Sequence, residues 1–192
     1  MSNKDWVGNA SVRNCNVRRA DAEPNDYYAT EPRAVELLLE QEEFAEKIWE
    51  PACGEGHISK VLEAHGHTVL SSDLIDRGYG HPGLDFLHCP PDEFDGDIIT
   101  NPPYKHAKEF VEKALEQVAD GAKVAMFLKL TFLEGQGRRE MFHNTPPHTV
   151  YVAPGRLQCG KNGCFDGTSM VAYAWYVWRK GYDGPTTIKW IN

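Results

Sequence analysis

Residues 47–58, with the sequence KIWEPACGEGHI, run from a short apolar strand through a turn with two glycines into an amphipathic helix. Gly54 and Gly56 allow the backbone of this turn to approach a ligand closely at the amino end of the helix. A dinucleotide-binding turn would carry a third glycine where this chain has Ser59, which argues against NAD as the ligand. A pair of glycines also fits an ordinary tight turn, and that alternative stays open here.

Strands and helices alternate on both sides of this stretch. The hydrophobic pattern predicts strands at 47–50, 68–73, 84–87, 96–101, 123–130, 149–153 and 171–178. It predicts helices at about 30–41, 58–64, 107–119 and 137–143, with Thr30 capping the first helix and Gly66 ending the second. The alternation implies an α/β fold, with a mostly parallel seven-stranded sheet, an antiparallel C-terminal strand and helices on both faces.

The size of the chain suits a single folded unit. Its 192 residues are 41% hydrophobic and 25% charged, as in ordinary soluble globular proteins. Residues 1–24 show no clear period, so we interpret them as an arm before one domain at 25–192. No apolar run reaches the roughly 20 residues that span a bilayer, and the N-terminus lacks the apolar segment of a secretory signal. We therefore expect no membrane segment.

The five cysteines are odd in number and irregularly spaced. This argues against a disulfide scaffold and favours a reducing, cytoplasmic location. Cys159 and Cys164 are separated by four residues, but no second pair lies nearby and the histidines are not clustered. We therefore expect no metal site.

The net charge of −8 is unevenly distributed along the chain. Residues 1–96 carry 8 basic and 19 acidic side chains, a net of −11, whereas residues 97–192 carry 12 and 9, a net of +3. The second half is therefore the one that a polyanion can approach, although an uneven distribution also arises by chance.

Acidic side chains surround the glycine turn. Asp73 ends the second predicted strand about twenty residues after the turn, at the spacing of an acid that binds a ribose diol. Glu50 and Glu55 flank the turn itself, and these acids favour a ligand that is neutral or positively charged over pyrophosphate. An ordinary surface acid after a strand is the alternative interpretation of Asp73.

Residues 101–104, with the sequence NPPY, follow directly on the predicted strand at 96–101. Two prolines make this turn stiff and remove backbone donors, so that its carbonyls are left free. A side-chain amide, a free carbonyl and an aromatic ring can together bind a planar amino group. A proline-rich turn that closes a strand is the alternative. However, the NPPY segment, the glycine turn and Asp73 all follow sheet strands, at the end where open α/β folds bind ligands.

With these motifs the chain resembles the S-adenosylmethionine-dependent N6-adenine DNA methyltransferases, over roughly residues 24–180. The order of its motifs is similar to the gamma class and to the short stand-alone enzymes common in phages and prophages. The resemblance implies the Rossmann-like class I methyltransferase fold and S-adenosyl-L-methionine as the cofactor. It implies a cofactor site made of Tyr28, Thr30, Glu50, Pro51, Ala52, Cys53, Gly54, Gly56, Asp73, Leu74, Asp85, Phe86 and Asn101.

The resemblance also assigns catalysis to the NPPY motif, which consists of Asn101, Pro102, Pro103 and Tyr104. The side-chain carbonyl of Asn101 and the backbone carbonyl of Pro102 would accept the hydrogens of an adenine amine. Tyr104 would stack on the target base, which a duplex presents only when the base is flipped out. DNA is therefore the expected partner.

Four further side chains are expected to contact the substrate. Lys129, Arg138 and Arg139 would meet phosphates, and Phe165 in the glycine-rich insert at 159–167 would form a second stacking wall. The alternatives are ordinary solvated charges and a loop aromatic that packs on the edge of the sheet.

The chain departs from the restriction-type enzymes in one respect. Only about a dozen residues follow Arg179, so we expect no separate target-recognition domain. RNA adenine and a protein glutamine amide are alternative substrates, because both present a planar nitrogen. A non-catalytic partner subunit is a further alternative, and no sequence pattern specifies an oligomeric state.

Overall fold

The computed structural model describes residues 27–91, 93–160 and 171–191. Ten strands lie within these ranges: β1 Ala29–Thr30, β2 Lys47–Glu50, β3 Thr68–Asp73, β4 His81–Pro82, β5 Asp97–Thr100, β6 Lys123–Lys129, β7 Thr149–Val152, β8 Cys159–Gly160, β9 Tyr173–Arg179 and β10 Thr187–Trp190. Eight of them form one sheet in the order β10-β7-β9-β6-β5-β2-β3-β4, and β1 pairs with β8 in a separate antiparallel ribbon.

The large sheet is parallel except at β9, which runs antiparallel to both β6 and β7. This confirms the predicted α/β sheet with an antiparallel strand near its C-terminal end. The chain builds outward from β2 to β3 and β4, then returns to the other side of β2 with β5 and β6. The reversal opens a crevice at the carboxyl ends of β2 and β5, where ligands bind in open α/β sheets.

The strand count differs from the prediction of seven. The predicted strand at 84–87 is wrong, because residues 86–88 form a 3₁₀ turn in which the Asp85 side chain accepts a hydrogen bond from Leu87 N at 3.2 Å. Strands β4 and β10 were not predicted. The first has only two residues. The second has only four, which alternate polar and apolar side chains but are all exposed.

Four α-helices are described: α1 Pro32–Leu39, α2 His57–Ala64, α3 Ala107–Gln117 and α4 Arg139–Asn144. Glu31 occupies the N-cap position of α1 and makes no side-chain capping bond, so the predicted capping role of Thr30 is wrong. Thr30 belongs instead to β1, where it pairs with Cys159 of β8. Gly66 follows α2 with a φ of +93°, as predicted for a glycine that ends a helix.

Apolar side chains cover both faces of the sheet. Neighbouring residues of a strand point to opposite faces, so Ile98 packs in the cluster on the α3 face and Ile99 in the cluster on the α1 and α2 face. Helices on both faces were predicted. This leaves the carboxyl ends of the parallel strands as the place for polar side chains.

Some predictions fall outside the described residues, namely the arm at 1–24, Phe165, Cys164 and most of the glycine-rich insert. The single domain at 25–192 stays a prediction. In the described part of the chain, no helix has both the length and the apolar character needed to cross a bilayer.

Candidate active site

A cavity of about 290 Å³ lies at the carboxyl ends of β2, β3 and β5. It brings together most of the predicted cofactor-binding residues: Tyr28, Thr30, Glu50, Pro51, Ala52, Cys53, Asp73, Leu74, Asp85, Phe86 and Asn101. Pro103 also lines it, whereas Gly54, Gly56, Pro102 and Tyr104 are not among its lining residues. The cavity therefore joins five segments of the sequence, which begin near Tyr28, Glu50, Asp73, Asp85 and Asn101.

The glycine turn is built around positive backbone angles. Gly54 has a φ of +55° and Gly56 a φ of +78°, a region that other residues adopt only with strain. A Cβ atom on Gly54 would collide with the ring of Tyr27, and one on Gly56 would collide with the ring of Tyr79. These glycines thus make room for two tyrosines, a contact that the sequence did not indicate.

Asp73 ties the end of β3 to the glycine turn. Its Oδ2 accepts a hydrogen bond from Gly54 N at 2.9 Å, and its Oδ1 accepts one from Ile75 N at 2.8 Å. Both oxygens keep a second lone pair. The carboxylate is therefore held in place at the wall of the cavity and can still accept a hydrogen bond from a ligand hydroxyl.

The second acidic segment lies on another wall. Asp85 makes two contacts: its Oδ1 accepts a hydrogen bond from Leu87 N, and its Oδ2 lies 2.8 Å from Nδ1 of His88. The ring of Phe86 is buried edge-on against Trp49, with 5.1 Å between the ring centroids. An acceptor next to an apolar ring is a suitable wall for a flat heterocycle.

Glu50 is buried in the floor of the cavity. Its Oε2 accepts hydrogen bonds from the backbone N at 2.8 Å and from the hydroxyl of Ser59, and that hydroxyl lies 2.6 Å from the hydroxyl of Ser71. Burial raises the pKa of Glu50 to about 8, against the opposing effect of the donors from Ser59. The carboxyl therefore anchors the first turn of α2, and its role toward a cofactor stays a prediction.

Asn101 lies where β5 ends, and its amide is held by two acceptors. Its Nδ2 donates to the backbone oxygen of Tyr28 at 2.8 Å and to the hydroxyl of Thr30 at 3.0 Å, and it lies 3.6 Å from Sγ of Cys159. A carbonyl oxygen can only accept, so the nitrogen must be the atom that faces Tyr28. Asn101 Oδ1 is buried and accepts no hydrogen bond from any residue in the described ranges.

Tyr104 lies in a cluster of aromatic rings beside Asn101. Its ring stacks on Tyr28 with the centroids 6.0 Å apart, and its centroid lies 5.8 Å from that of Tyr173. Its hydroxyl lies 2.9 Å from Sγ of Cys159. Burial raises the pKa of Tyr104 well above its ordinary value, so the phenol is neutral. Stacking of this ring on a substrate base stays a prediction.

Cys159 was not predicted to belong to the site. Pairing of β8 with β1 places it opposite Thr30 and beside both Asn101 and Tyr104. Burial raises the pKa of the Cys159 thiol to about 12, so the group is a neutral thiol at physiological pH. The sequence signals for this position were its spacing from Cys164 and the start of the glycine-rich insert, and neither indicates pairing with β1.

The predicted substrate-binding residues are dispersed. The ammonium of Lys129, at the end of β6, lies 4.8 Å from the ring centroid of Tyr104, next to the site. The guanidinium of Arg138 donates to the backbone oxygens of Phe132 and Glu134 in its own loop. Arg139 lines a separate, shallow surface depression. Within the described ranges, no cluster of three or more metal-ligating side chains occurs.

Solved structures share this fold at low sequence identity. A Listeria monocytogenes protein assigned as a class I S-adenosylmethionine-dependent methyltransferase is 12% identical, with a TM-score of 0.61 over 88% of this chain and 67% of that one. A modification subunit assigned to a type I restriction enzyme of Vibrio vulnificus is 15% identical, with a TM-score of 0.59 over 92% of this chain. This chain spans about half of that subunit, 47% of its length.

A third structure, a Pyrococcus horikoshii protein assigned as an RNA methyltransferase, is 13% identical, with a TM-score of 0.58 over 88% of this chain and 96% of that one. No protein-family model matches the sequence, and no curated protein matches it either. The likeness establishes the class I methyltransferase fold, as predicted. Function has to be argued from the site, because one fold serves many chemistries.

Proposed function

We propose that this chain is an S-adenosylmethionine-dependent methyltransferase that acts on the N6 amine of adenine in DNA. The observation that carries the proposal is the buried Oδ1 of Asn101, which has no hydrogen-bond donor among the described residues. A buried acceptor without a partner costs about 1–3 kcal/mol. A substrate N–H that reaches this oxygen recovers the cost, so the site favours a substrate with a donor at this point.

The lining of the cavity supports S-adenosylmethionine as the cofactor. Asp73 offers free lone pairs to a ribose diol, and Phe86 with Asp85 forms an apolar wall with an acceptor. These carboxylates favour a ligand with a positive centre. When bound, the cofactor supplies an electrophilic methyl group on a sulfonium. The carboxylate acceptors and the apolar wall of the cavity therefore fit S-adenosylmethionine.

The residues of the NPPY motif support methyl transfer to nitrogen. The lone pair of an aromatic amine is conjugated with its ring and is a weak nucleophile. When Asn101 Oδ1 and the Pro102 carbonyl accept the two amine hydrogens, the nitrogen becomes more tetrahedral and its lone pair turns toward the methyl carbon. As the nitrogen bonds to the methyl carbon, the bond from that carbon to sulfur would break with its electron pair left on sulfur, and the nitrogen would release its extra proton to solvent. Positioning and electrostatics provide the rate, and no strong base is needed.

DNA is proposed as the substrate because of the NPPY motif and the modification subunit among the solved structures. Lys129 adds a cation beside Tyr104, where a phosphate next to a flipped base would lie. RNA adenine is the second candidate, favoured by the RNA methyltransferase among the same structures.

Radiolabelled S-adenosylmethionine tests the reaction. Purified protein should transfer label to adenine-containing DNA, and mass spectrometry of the digested product should show N6-methyladenine. RNA of the same sequence serves as the parallel substrate, and labelling of RNA alone would assign the second candidate. Asn101→Ala should reduce transfer at least about 100-fold while the cofactor Kd stays within several-fold. Full activity of Asn101→Ala would overturn the mechanism.

Calorimetric titration tests the cofactor site separately. Asp73→Asn leaves one amide oxygen for two backbone donors and removes a charge, so the Kd for S-adenosylmethionine should rise at least about 10-fold. Asp76→Asn is the matched control, because Asp76 accepts a similar bond from Gly78 N at 2.9 Å but is exposed and does not line the cavity. Equal affinities of the two variants would contradict the proposed site.

A further inference from the structure

We propose that Thr30 is a positioning residue: the Tyr28 carbonyl sets which atom of the Asn101 amide faces inward, and the Thr30 hydroxyl holds the amide in place, so that Oδ1 points toward the substrate. The inference rests on the proposed methyl transfer and assigns a role to a hydroxyl inside that site. The role differs from the one implied by the resemblance, in which this threonine belongs to the cofactor site.

The argument begins with the two hydrogens of the Asn101 amide. One is accepted by the backbone oxygen of Tyr28 at 2.8 Å, and the other by the hydroxyl of Thr30 at 3.0 Å, with Sγ of Cys159 as a weaker and more distant acceptor at 3.6 Å. An amide nitrogen has no further hydrogen to donate. Both donors are therefore used inside the protein, and the oxygen is the polar atom left for a substrate.

Rotation of the amide by half a turn would reverse this arrangement. Asn101 Oδ1 would then face the Tyr28 carbonyl, acceptor against acceptor, which opposes the rotation even though the Thr30 hydroxyl could donate to Oδ1. The two N–H groups would point away from Tyr28 and Thr30. In that state the amine hydrogens of a substrate would meet a donor instead of an acceptor. Only one of the two orientations therefore activates a nitrogen nucleophile.

Thr30 is placed for this task by the ribbon of β1 and β8. Its side chain is 2% exposed, and its backbone is paired in register with Cys159. One residue later, Glu31 N donates to the backbone oxygen of Gln158 at 3.2 Å. The hydroxyl is thus held from outside the NPPY segment, and it gives the amide a second fixed point besides the Tyr28 carbonyl.

The two roles of Thr30 predict different kinetics. If the hydroxyl orients Asn101, its loss lowers the rate of transfer at saturating cofactor and leaves cofactor affinity nearly unchanged. If the hydroxyl binds the cofactor, its loss raises the cofactor Kd, and saturation restores the rate. The distinction can be made with one pair of substitutions.

Thr30→Val removes the hydroxyl and keeps the shape, and Thr30→Ser keeps the hydroxyl. With the enzyme saturated in S-adenosylmethionine and DNA, Thr30→Val should lower kcat about 10-fold, with the cofactor Kd within about 2-fold of wild type. Thr30→Ser should restore most of kcat. A normal kcat in Thr30→Val, or a 10-fold rise in its cofactor Kd, would overturn the inference.

A second measurement needs no turnover. In the ¹⁵N-labelled protein, the side-chain NH₂ signals of Asn101 are identified by their disappearance in Asn101→Asp. In Thr30→Val one of these two protons should shift upfield and exchange faster with solvent, whereas Thr30→Ser should resemble wild type. An unchanged NH₂ pair in Thr30→Val overturns the inference. Absence of methyl transfer in wild type, with this shift present, overturns only the proposed function.

Discussion

The amide nitrogen of Asn101 lies 2.8 Å from the backbone oxygen of Tyr28, a residue 73 positions earlier in the chain. This hydrogen bond joins the NPPY segment, which follows β5, to the residue that precedes β1, and both residues line the cavity. Because Tyr28 uses its backbone and not its side chain, the contact constrains the residue at position 101 to be a donor.

Asn101→Asp should therefore destabilise the protein as well as reduce activity. A carboxylate places an acceptor against the Tyr28 oxygen, and the lost bond with its unpaired partner costs about 1–3 kcal/mol. Urea unfolding at pH 8 and pH 5 measures this cost relative to wild type. The deficit should be smaller at pH 5, because a protonated carboxyl donates one hydrogen bond. A deficit that is absent, or equal at the two pH values, would contradict the role of the Tyr28 carbonyl.

Gly56→Ala should lower the free energy of unfolding by more than an ordinary glycine substitution does. The residue has a φ of +78°, and the added Cβ would collide with the ring of Tyr79, whose hydroxyl is held by Glu63 at 3.1 Å. Gly66→Ala is the matched control: its φ is +93°, but no atom lies within 4 Å of the added Cβ, so only the backbone strain of about 1–2 kcal/mol applies.

In urea unfolding, Gly56→Ala should lower the free energy of unfolding by at least about 1 kcal/mol more than Gly66→Ala does. In a Tyr79→Ala background this excess should shrink, because the colliding ring is gone. Equal losses for the two glycines would mean that the tyrosine moves aside freely.

Glu50 should make the stability of the protein depend on pH. Burial raises its pKa to about 8 from an ordinary value of 4.5, so the folded state holds a proton that the unfolded state loses first. The contribution is fully present below about pH 4.5 and is lost as the pH rises through about 8. Wild-type stability should thus fall across this window by roughly 2–4 kcal/mol, since one pKa unit corresponds to about 1.4 kcal/mol.

Glu50→Gln isolates this effect, because an amide keeps the acceptor for Ser59 and does not ionise. Its stability relative to wild type should improve steadily from pH 5 to pH 8.5 in urea unfolding. Glu36→Gln, on the exposed side of α1, serves as the control. Parallel curves for wild type and Glu50→Gln would show that the carboxyl is already ionised at neutral pH.

The parts of this fold that were predicted are those with local signals. The strands at 47–50 and 68–73 have the predicted bounds, because each carries apolar residues and runs into a polar or glycine-rich end. Asp73 was placed at the site by its distance from the glycine turn, and Asn101 by the motif that it opens. Both residues line the cavity.

The parts that were missed depend on contacts between distant segments. Thr30 has the residue type of a helix cap, but its hydroxyl accepts from Asn101, 71 residues away. Cys159 reaches the site through a strand of two residues, which is too short for any period. The exposed strand at 187–190 is held by pairing with β7, and four alternating residues do not indicate which strand they pair with.

Lys129→Gln should weaken DNA binding and reduce its dependence on salt. The ammonium lies 4.8 Å from the ring centroid of Tyr104, at the carboxyl end of β6, where a substrate phosphate can approach it. Loss of one phosphate contact should raise the Kd for DNA and lower the slope of log K against log salt by about 1. Fluorescence anisotropy from about 50 to 200 mM salt measures both quantities.

The control for this measurement is Lys189→Gln. Lys189 also lies over a tyrosine ring, 5.7 Å from the centroid of Tyr151, but it belongs to β10 at the far edge of the sheet. The two substitutions remove the same charge from similar surroundings, so a general effect of net charge would change both slopes equally. A reduced slope in Lys129→Gln alone would place the nucleic-acid backbone beside Tyr104. Equal slopes would exclude Lys129 as a phosphate contact and require the polyanion to approach the cavity from another side.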